Sequence, residues 1–436
     1  MVRPARSSGR ALWHRLARSG LAALPRATRF ALFRAFVDCD PAPDRRLELK
    51  VAQTQDELEA CFTLLHDAYV GHGFMAPQPS GLRVTIYHAL PTTTTLCAKW
   101  DGEVVGTMSL IRDGVFGFPL QSVFDLTRVR AQSGQIAEVS ALAVHRRFRK
   151  TGGAVLFPLM KFMYEYCTEY FDTRHLVIAV HPNRIELYES LLFFERLAAH
   201  VVDNYDFANG APAVGATLDL EAAPQRMRAA FGGKSTRKDL HRYFTHLRLP
   251  NIKPPPRRYY TTNDPVMTPA MLDHFFNQRT QTFERLDARQ RLLLHSIYDL
   301  APYRKVLPEV PAASPEVLPH IREHQRYSMK CPGTLALGGA DEPCKLQVVE
   351  LSLNGFQATA SRPLPLDEWG VAEIRLGDAD HALMRVAAVR EHDIDGEAYY
   401  GFRIADADDA WAVCVDALKR GQTSIDLTEP APLSEN

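Results

Sequence analysis

The sequence predicts an α+β chain: a mixed sheet with flanking helices comes first, a helical connecting region follows, and a strand-rich unit ends it. Three observations lead there. Residues 47–112 read strand, helix, strand, strand, as LELKVAQ, DELEACFTLLHDAYVGHG and TTTTLCAKWDGEVVGTMSLIRD. The last two strands turn at Asp101-Gly102, a dipeptide suited to a two-residue hairpin. The apolar runs Ile136–Val144 and His175–Val180 then alternate with helical stretches, and VVELSLNGFQA and YYGFRI restore strand patterning near the C-terminus. At 436 residues and 46% hydrophobic content, two or three domains with real cores are expected.

The segment IAEVSALAVHRRFRKTGGA, Ile136 to Ala154, carries the chemistry. Side chains alternate along a strand, which predicts one row of Ile136, Glu138, Ser140, Leu142 and Val144. A carboxylate in such a row is largely buried, and burial raises its pKa toward the range of a general base. The basic turn that follows, with Arg149, Gly152 and Gly153 before Ala154 and a long helix, suits phosphate oxygens, because amides at a glycine-rich helix start point outward beside cationic side chains. A phosphate-bearing ligand is expected.

After that turn come the strand HLVIAV and the helix HPNRIELYESLLFFERL. Here the chain resembles the GCN5-related N-acetyltransferase superfamily. Arg149, Gly152 and Ala154 match its phosphate loop, and Asn183, Leu187, Tyr188 and Phe193 match its later helix; Leu192 stands where that family prefers Gly. Within the superfamily the likeness is to the N-acyl amino acid synthases and the acyl-homoserine-lactone synthases. Their strand motif E-x-S-R is matched by Glu138 and Ser140, with Ala141 in place of the Arg. Met267–Leu286 is similar to the helical extension of the N-acyl amino acid synthases, and the resemblance runs over about residues 45 to 300.

The resemblance implies an N-acyltransferase that joins a long acyl chain, carried on acyl carrier protein or CoA, to the amine of an amino acid. The acyl thioester is a co-substrate and no prosthetic group or metal is expected. Glu138 would accept the amine proton, and backbone N–H groups beside Ala143 and Val144 would polarise the carbonyl. Tyr188 is the general acid that the family implies. Ser140, Leu142, Val144, Arg149, Gly152, Gly153, Ala154 and Asn183 are the expected donor and substrate contacts. His145 and His181 are rival bases, and Arg83 and Arg128 are candidates to hold a substrate carboxylate.

In IREHQRYSMKCPGTLAL, Arg322 and Arg326 form R-x-x-x-R, and VVELSLNGFQA supplies Glu350, Ser352 and Gly355. Together with YYGFRI these resemble the PilZ domain, which implies a six-stranded β-barrel and cyclic di-GMP as ligand. Guanidinium forks suit phosphates and guanine edges. The family has Asp or Asn where this chain has Glu350. The fold class is therefore α+β: a mixed-sheet acyltransferase domain, a helical connecting region and a C-terminal six-stranded PilZ-type barrel. A non-catalytic cyclic di-GMP signalling protein with a degenerate acyltransferase domain is the alternative.

The expected organisation is a basic amphipathic segment at 1–40, the acyltransferase domain at 45–222, the helical extension at 223–305, a linker at 306–320, the PilZ domain at 321–424 and a tail at 425–436. The 51 basic and 51 acidic residues balance, which argues against nucleic acid as a partner. Seven scattered cysteines indicate neither a zinc site nor a disulfide framework, and a cytoplasmic location follows. The first 37 residues hold eight Arg, no acid and several aromatics, a composition suited to peripheral contact with the inner membrane or to packing on the transferase domain. The proline-rich stretch Asn251–Pro269 is expected to run extended over a surface, and Phe275, Phe276, Phe283 and Leu286 to form a packing face of helices over 269–300.

Overall fold

The computed structural model describes residues 24–149, 151–310, 325–338 and 342–424. Strands β1 (Leu47–Val51), β2 (Thr93–Trp100), β3 (Glu103–Arg112), β4 (Ile136–Val144), β5 (His175–Val180), β6 (Glu195–Arg196), β7 (Val202–Tyr205) and β8 (Ala211–Asp219) form one sheet in the order β1-β2-β3-β4-β5-β8-β6, with β7 also on β8. Only β4 and β5 run parallel. The β2–β3 turn is the expected one: Asp101 and Gly102 both have positive φ, 51° and 84°.

Helix α1 (Arg26–Ala35) precedes the sheet, and α2 (Gln55–His72) covers one face. A capping box of Thr54 and Glu57 starts α2 and a left-handed Gly73 ends it. Glu57 also takes Lys50 of β1 and Lys99 of β2, fastening the helix start to the sheet. On the opposite face, α3 (Leu156–Glu165) buries Leu159 and Phe162 against Leu49, Leu96, Leu110 and Ala137. Gly106 permits that approach, since a Cβ there would stand 3.0 Å from Val155 Cγ1. Beyond β5, α4 (Pro182–Leu187) continues into a π turn, Tyr188–Leu192.

The basic N-terminal segment is described only from residue 24. Its helix α1 packs on α4: Arg26 pairs with Glu189, Arg29 with Glu186, and the Arg34 Nε donates to the Ser190 carbonyl. These arginines are spent on intramolecular contacts, so this part of the segment follows the packing alternative. Among the described residues no helix is long and apolar enough to cross a membrane.

The connecting region starts with α5 (Ala223–Phe231) and α6 (Leu240–Thr245), which complete the core beneath α3. The helices expected over 269–300 are short: α7 (Pro269–Leu272) with a π turn to Arg279, then α8 (Ala288–Ile297), with α9 (Ala301–Arg304) following. Phe275, Phe276 and Phe283 are fully buried against Phe62 and Leu58 of α2. They form the expected packing face, with Phe276 stacked on Phe283 at 4.9 Å.

The stretch expected to lie extended over a surface is partly interior. Tyr259 enters the core of the C-terminal unit, and Thr261, Thr262 and Asp264 are buried. The prolines stop helix formation, but the backbone groups still find partners: Tyr260 N–H donates to the Leu376 carbonyl and Lys330 N–H to the Tyr260 carbonyl. Arg257 pairs with Asp264, whose Oδ2 also accepts from the Tyr166 hydroxyl at 2.6 Å.

The C-terminal strands β9 (Tyr327–Leu337), β10 (Cys344–Ser352), β11 (Gly355–Ala360), β12 (Trp369–Arg375), β13 (His381–Ile394) and β14 (Glu397–Ala407) close into a six-stranded barrel in the order β10-β11-β14-β13-β12-β9. Helix α10 (Asp409–Lys419) packs Trp411 into one end, where the indole N–H reaches the Ser352 and Leu353 carbonyls, both at 3.2 Å. The barrel docks on the sheet through Arg112. This buried guanidinium donates to Ser328 Oγ of β9 (2.7 Å), to Thr262 Oγ1 and O (both 2.8 Å) and to the Phe171 carbonyl. Lys330–Asp172 and Arg258–Asp380 add ion pairs along the seam.

Candidate active site

The strand β4 departs from simple alternation. Thr107 and Ser109 of β3 pair with Ala143 and Ser140, so β4 carries one extra residue, and Ala141 holds it with φ 55°. This is a β-bulge, at a left-handed conformation that costs an alanine roughly 1–2 kcal/mol. The expected single row is broken there. Glu138 and Ser140 share a face with Ala143, which packs on Leu64, Leu65 and Ala68 of α2, whereas Leu142 and Val144 pack with Val139 toward α3.

Pairing of β4 with β5 extends only from Ile136–His175 to Glu138–Val177. Past that point the strands part, and a cavity of about 760 Å³ opens between Ser140–Val144 and Ile178–His181. Its apolar wall includes Met108, Met160, Met163, Ile178, Leu192 and Phe194; its polar groups include Glu138, Ser140, Arg149, Asn183, Tyr188 and Tyr205. The edge of β4 beyond Glu138 thus faces a cleft rather than another strand, which leaves main-chain N–H groups available to a ligand carbonyl.

Glu138 is 2% exposed, and its Oε2 accepts one hydrogen bond, from the Leu120 N–H at 3.1 Å. Burial pushes its carboxyl up to about 8, with the Leu120 bond pulling slightly the other way. Tyr188 borders the same cavity, its ring edge-on to Phe194 at 5.9 Å. Burial, aided by Tyr69 and opposed by Arg184, holds its phenol above the ordinary range. Because the π turn takes in one residue more than an α turn, the left-handed residue is Phe193 (φ 64°). Leu192, expected at the position where a Gly is preferred, lies inside the turn and is buried.

Gly152, Gly153 and Ala154 lead into α3 but lie outside the cavity wall. Gly152 and Gly153 have φ 67° and 90°, and a Cβ on Gly153 would stand 2.4 Å from the Phe157 ring. The Arg149 Nε donates to the Val144 carbonyl, bending the turn back over the end of β4. Asn183 and His181 sit at the start of α4, where His181 Nδ1 accepts from the Asn183 N–H at 3.2 Å.

Other candidates fall elsewhere. His145 borders a different cavity, beside Glu57 and Lys99, and burial followed by Arg147, Arg146 and Arg149 lowers its pKa. Arg128 is exposed on the turn Thr127–Arg130. Arg83 stands behind the wall, its guanidinium over the rings of Tyr69 (4.1 Å) and Phe207 (4.8 Å) and donating to the Phe207 carbonyl at 2.8 Å. Sequence reasoning missed the Leu120 N–H and the phenols of Tyr69, Tyr87 and Tyr205, which surround Glu138 closely enough for its charge to raise their pKa values further. They come from separate elements and carry no spacing signal.

In the barrel, Arg326 pairs with Glu350, Nη1 to Oε2 at 2.7 Å, between the start of β9 and the end of β10. Ser352 Oγ donates to the Gly355 carbonyl and closes the β10–β11 turn. A Cβ on Gly355 would stand 2.4 Å from the Phe402 carbonyl. Arg322 lies outside the described residues. Among the described residues no three His, Cys, Asp or Glu side chains are grouped to hold a metal.

Residues 60–219, which span β2–β8, the open edge of β4 and Glu138, match the family model described as N-acyl amino acid synthase FeeM. The chain carries an N-acyltransferase domain. Its mixed sheet carries helices on both faces. Among solved structures, the chain is similar to FeeM, an N-acyl amino acid synthase from uncultured soil microbes, at 22% identity and TM-score 0.36, covering 41% of this chain and 94% of that one. It is also similar to BjaI, a CoA-dependent acyl-homoserine lactone synthase solved with SAM and isopentyl-CoA, at 20% identity and TM-score 0.35, covering 48% and 93%. A third is yncA, a putative acetyltransferase from Salmonella typhimurium with acetyl-CoA, at 18% identity and TM-score 0.29, covering 40% and 95%. No curated protein matches the chain.

Proposed function

We propose that the chain is an N-acyl amino acid synthase, transferring a long acyl group from a CoA or carrier-protein thioester to the amine of an amino acid. The observation that carries this is Glu138: a buried carboxyl that titrates at about 8, on the wall of a largely apolar cavity beside an open strand edge. A group titrating near neutrality takes and returns a proton at little cost. The amine nitrogen attacks the thioester carbonyl, the N–C bond forms, and the amine proton passes to Glu138. The N–H groups of β4 that face the cleft, at Leu142 and Val144, stabilise the oxyanion. As the C–S bond breaks, Tyr188 gives its proton to the sulfur, and its raised pKa keeps that proton in place until then. Ser140 and Asn183 line the path, and Arg149 with the turn at Gly152, Gly153 and Ala154 receives the donor's phosphates. The apolar wall from Met108 to Phe194 takes the acyl chain.

The barrel, in this reading a PilZ domain, binds cyclic di-GMP at the corner of Arg326, Glu350, Ser352 and Gly355 and so regulates transfer. Two observations support it: the corner brings Arg326 of the first motif onto Glu350 of the second, and Arg112, the neighbour in β3 of Glu138's pairing partner Ile111, donates to Ser328 of β9. Incubating the protein with acyl-CoA or acyl-carrier thioester and mixed amino acids, with amides detected by mass spectrometry, tests the enzyme. Amide from wild type that falls at least a hundredfold in Glu138→Ala is expected; equal yield from both would remove Glu138 from the mechanism. Calorimetry with cyclic di-GMP should give binding that Arg326→Ala abolishes, and a flat wild-type trace would leave the barrel structural.

A further inference from the structure

Among the described residues, one group on the cavity wall has a hydroxyl that no hydrogen bond uses. Tyr205, the last residue of β7, is 4% exposed, and its ring lies beside Phe207. Its hydroxyl is buried without a hydrogen-bond partner among the described residues, and no other cavity-lining residue has such an atom. Phenylalanine would pack there as well, and an unpaired buried hydroxyl is a net cost, so its partner belongs to an occupied state. A second group lacks a charge partner. Arg83 lies behind Tyr69 and Phe207, donates to a main-chain carbonyl, and has no carboxylate partner among the described residues. A half-buried cation without a counter-ion favours an anion nearby.

Both groups are donors, and both lie on the Glu138 side of the cavity, where the attacking amine must stand. In an α-amino acid the anion and the amine are one carbon apart. We infer that the Tyr205 hydroxyl binds the α-carboxylate of the acceptor, with Arg83 supplying positive charge from behind the wall, so that the enzyme selects amino acids over simple amines. This rests on the acyltransferase reading and names the acceptor determinant within it.

Two probes separate the possibilities: N-dodecanoylglycine, which carries the carboxylate, and N-ethyldodecanamide, which ends in methyl instead. Calorimetry on the whole chain should show wild type preferring the first by tenfold or more. Tyr205→Phe should bring the two affinities within about threefold by weakening only the glycine conjugate, and Arg83→Met should do the same. The thermal midpoint of Tyr205→Phe should equal or exceed that of wild type. Equal affinities in wild type, or a preference that survives Tyr205→Phe, would overturn the inference and leave the acyltransferase reading standing. Binding of neither probe would overturn both.

Discussion

Replacing Glu138 by Gln keeps an oxygen to accept from Leu120 N–H and removes the titrating proton. The wild-type carboxyl titrates at about 8 in the folded chain against 4.5 when free. The folded state therefore holds a proton that the unfolded chain gives up between those values, so stability falls as pH rises from about 4.5 through 8. Each pKa unit is worth about 1.4 kcal/mol. Between pH 5 and pH 9 the wild type should lose about 4 kcal/mol relative to Glu138→Gln, with most of the loss below pH 8. Urea unfolding of both proteins at pH 5, 7 and 9 reads this difference directly and needs no substrate. Parallel curves, with a difference that stays below about 1 kcal/mol, would show that Glu138 is solvated and would remove the physical basis for its role as base.

Gly153→Ala meets both a positive φ of 90° and the Phe157 ring at 2.4 Å, whereas Gly152→Ala meets only its φ of 67° with open space around it. Thermal unfolding should place Gly153→Ala below Gly152→Ala, the first costing about 2–3 kcal/mol and the second about 1 kcal/mol; the reverse order would contradict the turn geometry. Arg112→Met removes the donors to Ser328, Thr262 and Phe171 and should cost about 3 kcal/mol. Limited proteolysis should then cut residues 251–264 faster, and an unchanged cleavage pattern would mean that the seam does not depend on Arg112. Glu350→Asp shortens the acid that meets Arg326 at 2.7 Å. It should tighten cyclic di-GMP binding in calorimetry if that ion pair competes with the ligand, and unchanged affinity would exclude the competition.

Local chemistry was legible in the sequence. The Asp101-Gly102 hairpin, the aromatic packing face at Phe275–Phe283, the strand carrying Glu138 and the glycine turn after it each follow from neighbouring residues, because period, turn type and capping act over a few positions. The bulge at Ala141 and the π turn after Tyr188 were not legible. Each inserts one residue whose only trace is a left-handed alanine or phenylalanine, residue types that ordinarily avoid that conformation.

By itself the sequence determined that a carboxylate would lie on a half-buried strand ahead of a basic turn, and that a strand-rich unit would end the chain. Tertiary structure alone decided what surrounds that carboxylate. Parting of β4 from β5, the Leu120 N–H on Glu138, the phenols of Tyr69, Tyr87 and Tyr205, and the passage of residues 257–264 into the seam with the barrel all join positions far apart in the chain. Burial and electrostatics act through space, so neither the raised pKa of Glu138 nor the unpaired hydroxyl of Tyr205 exists until those segments meet.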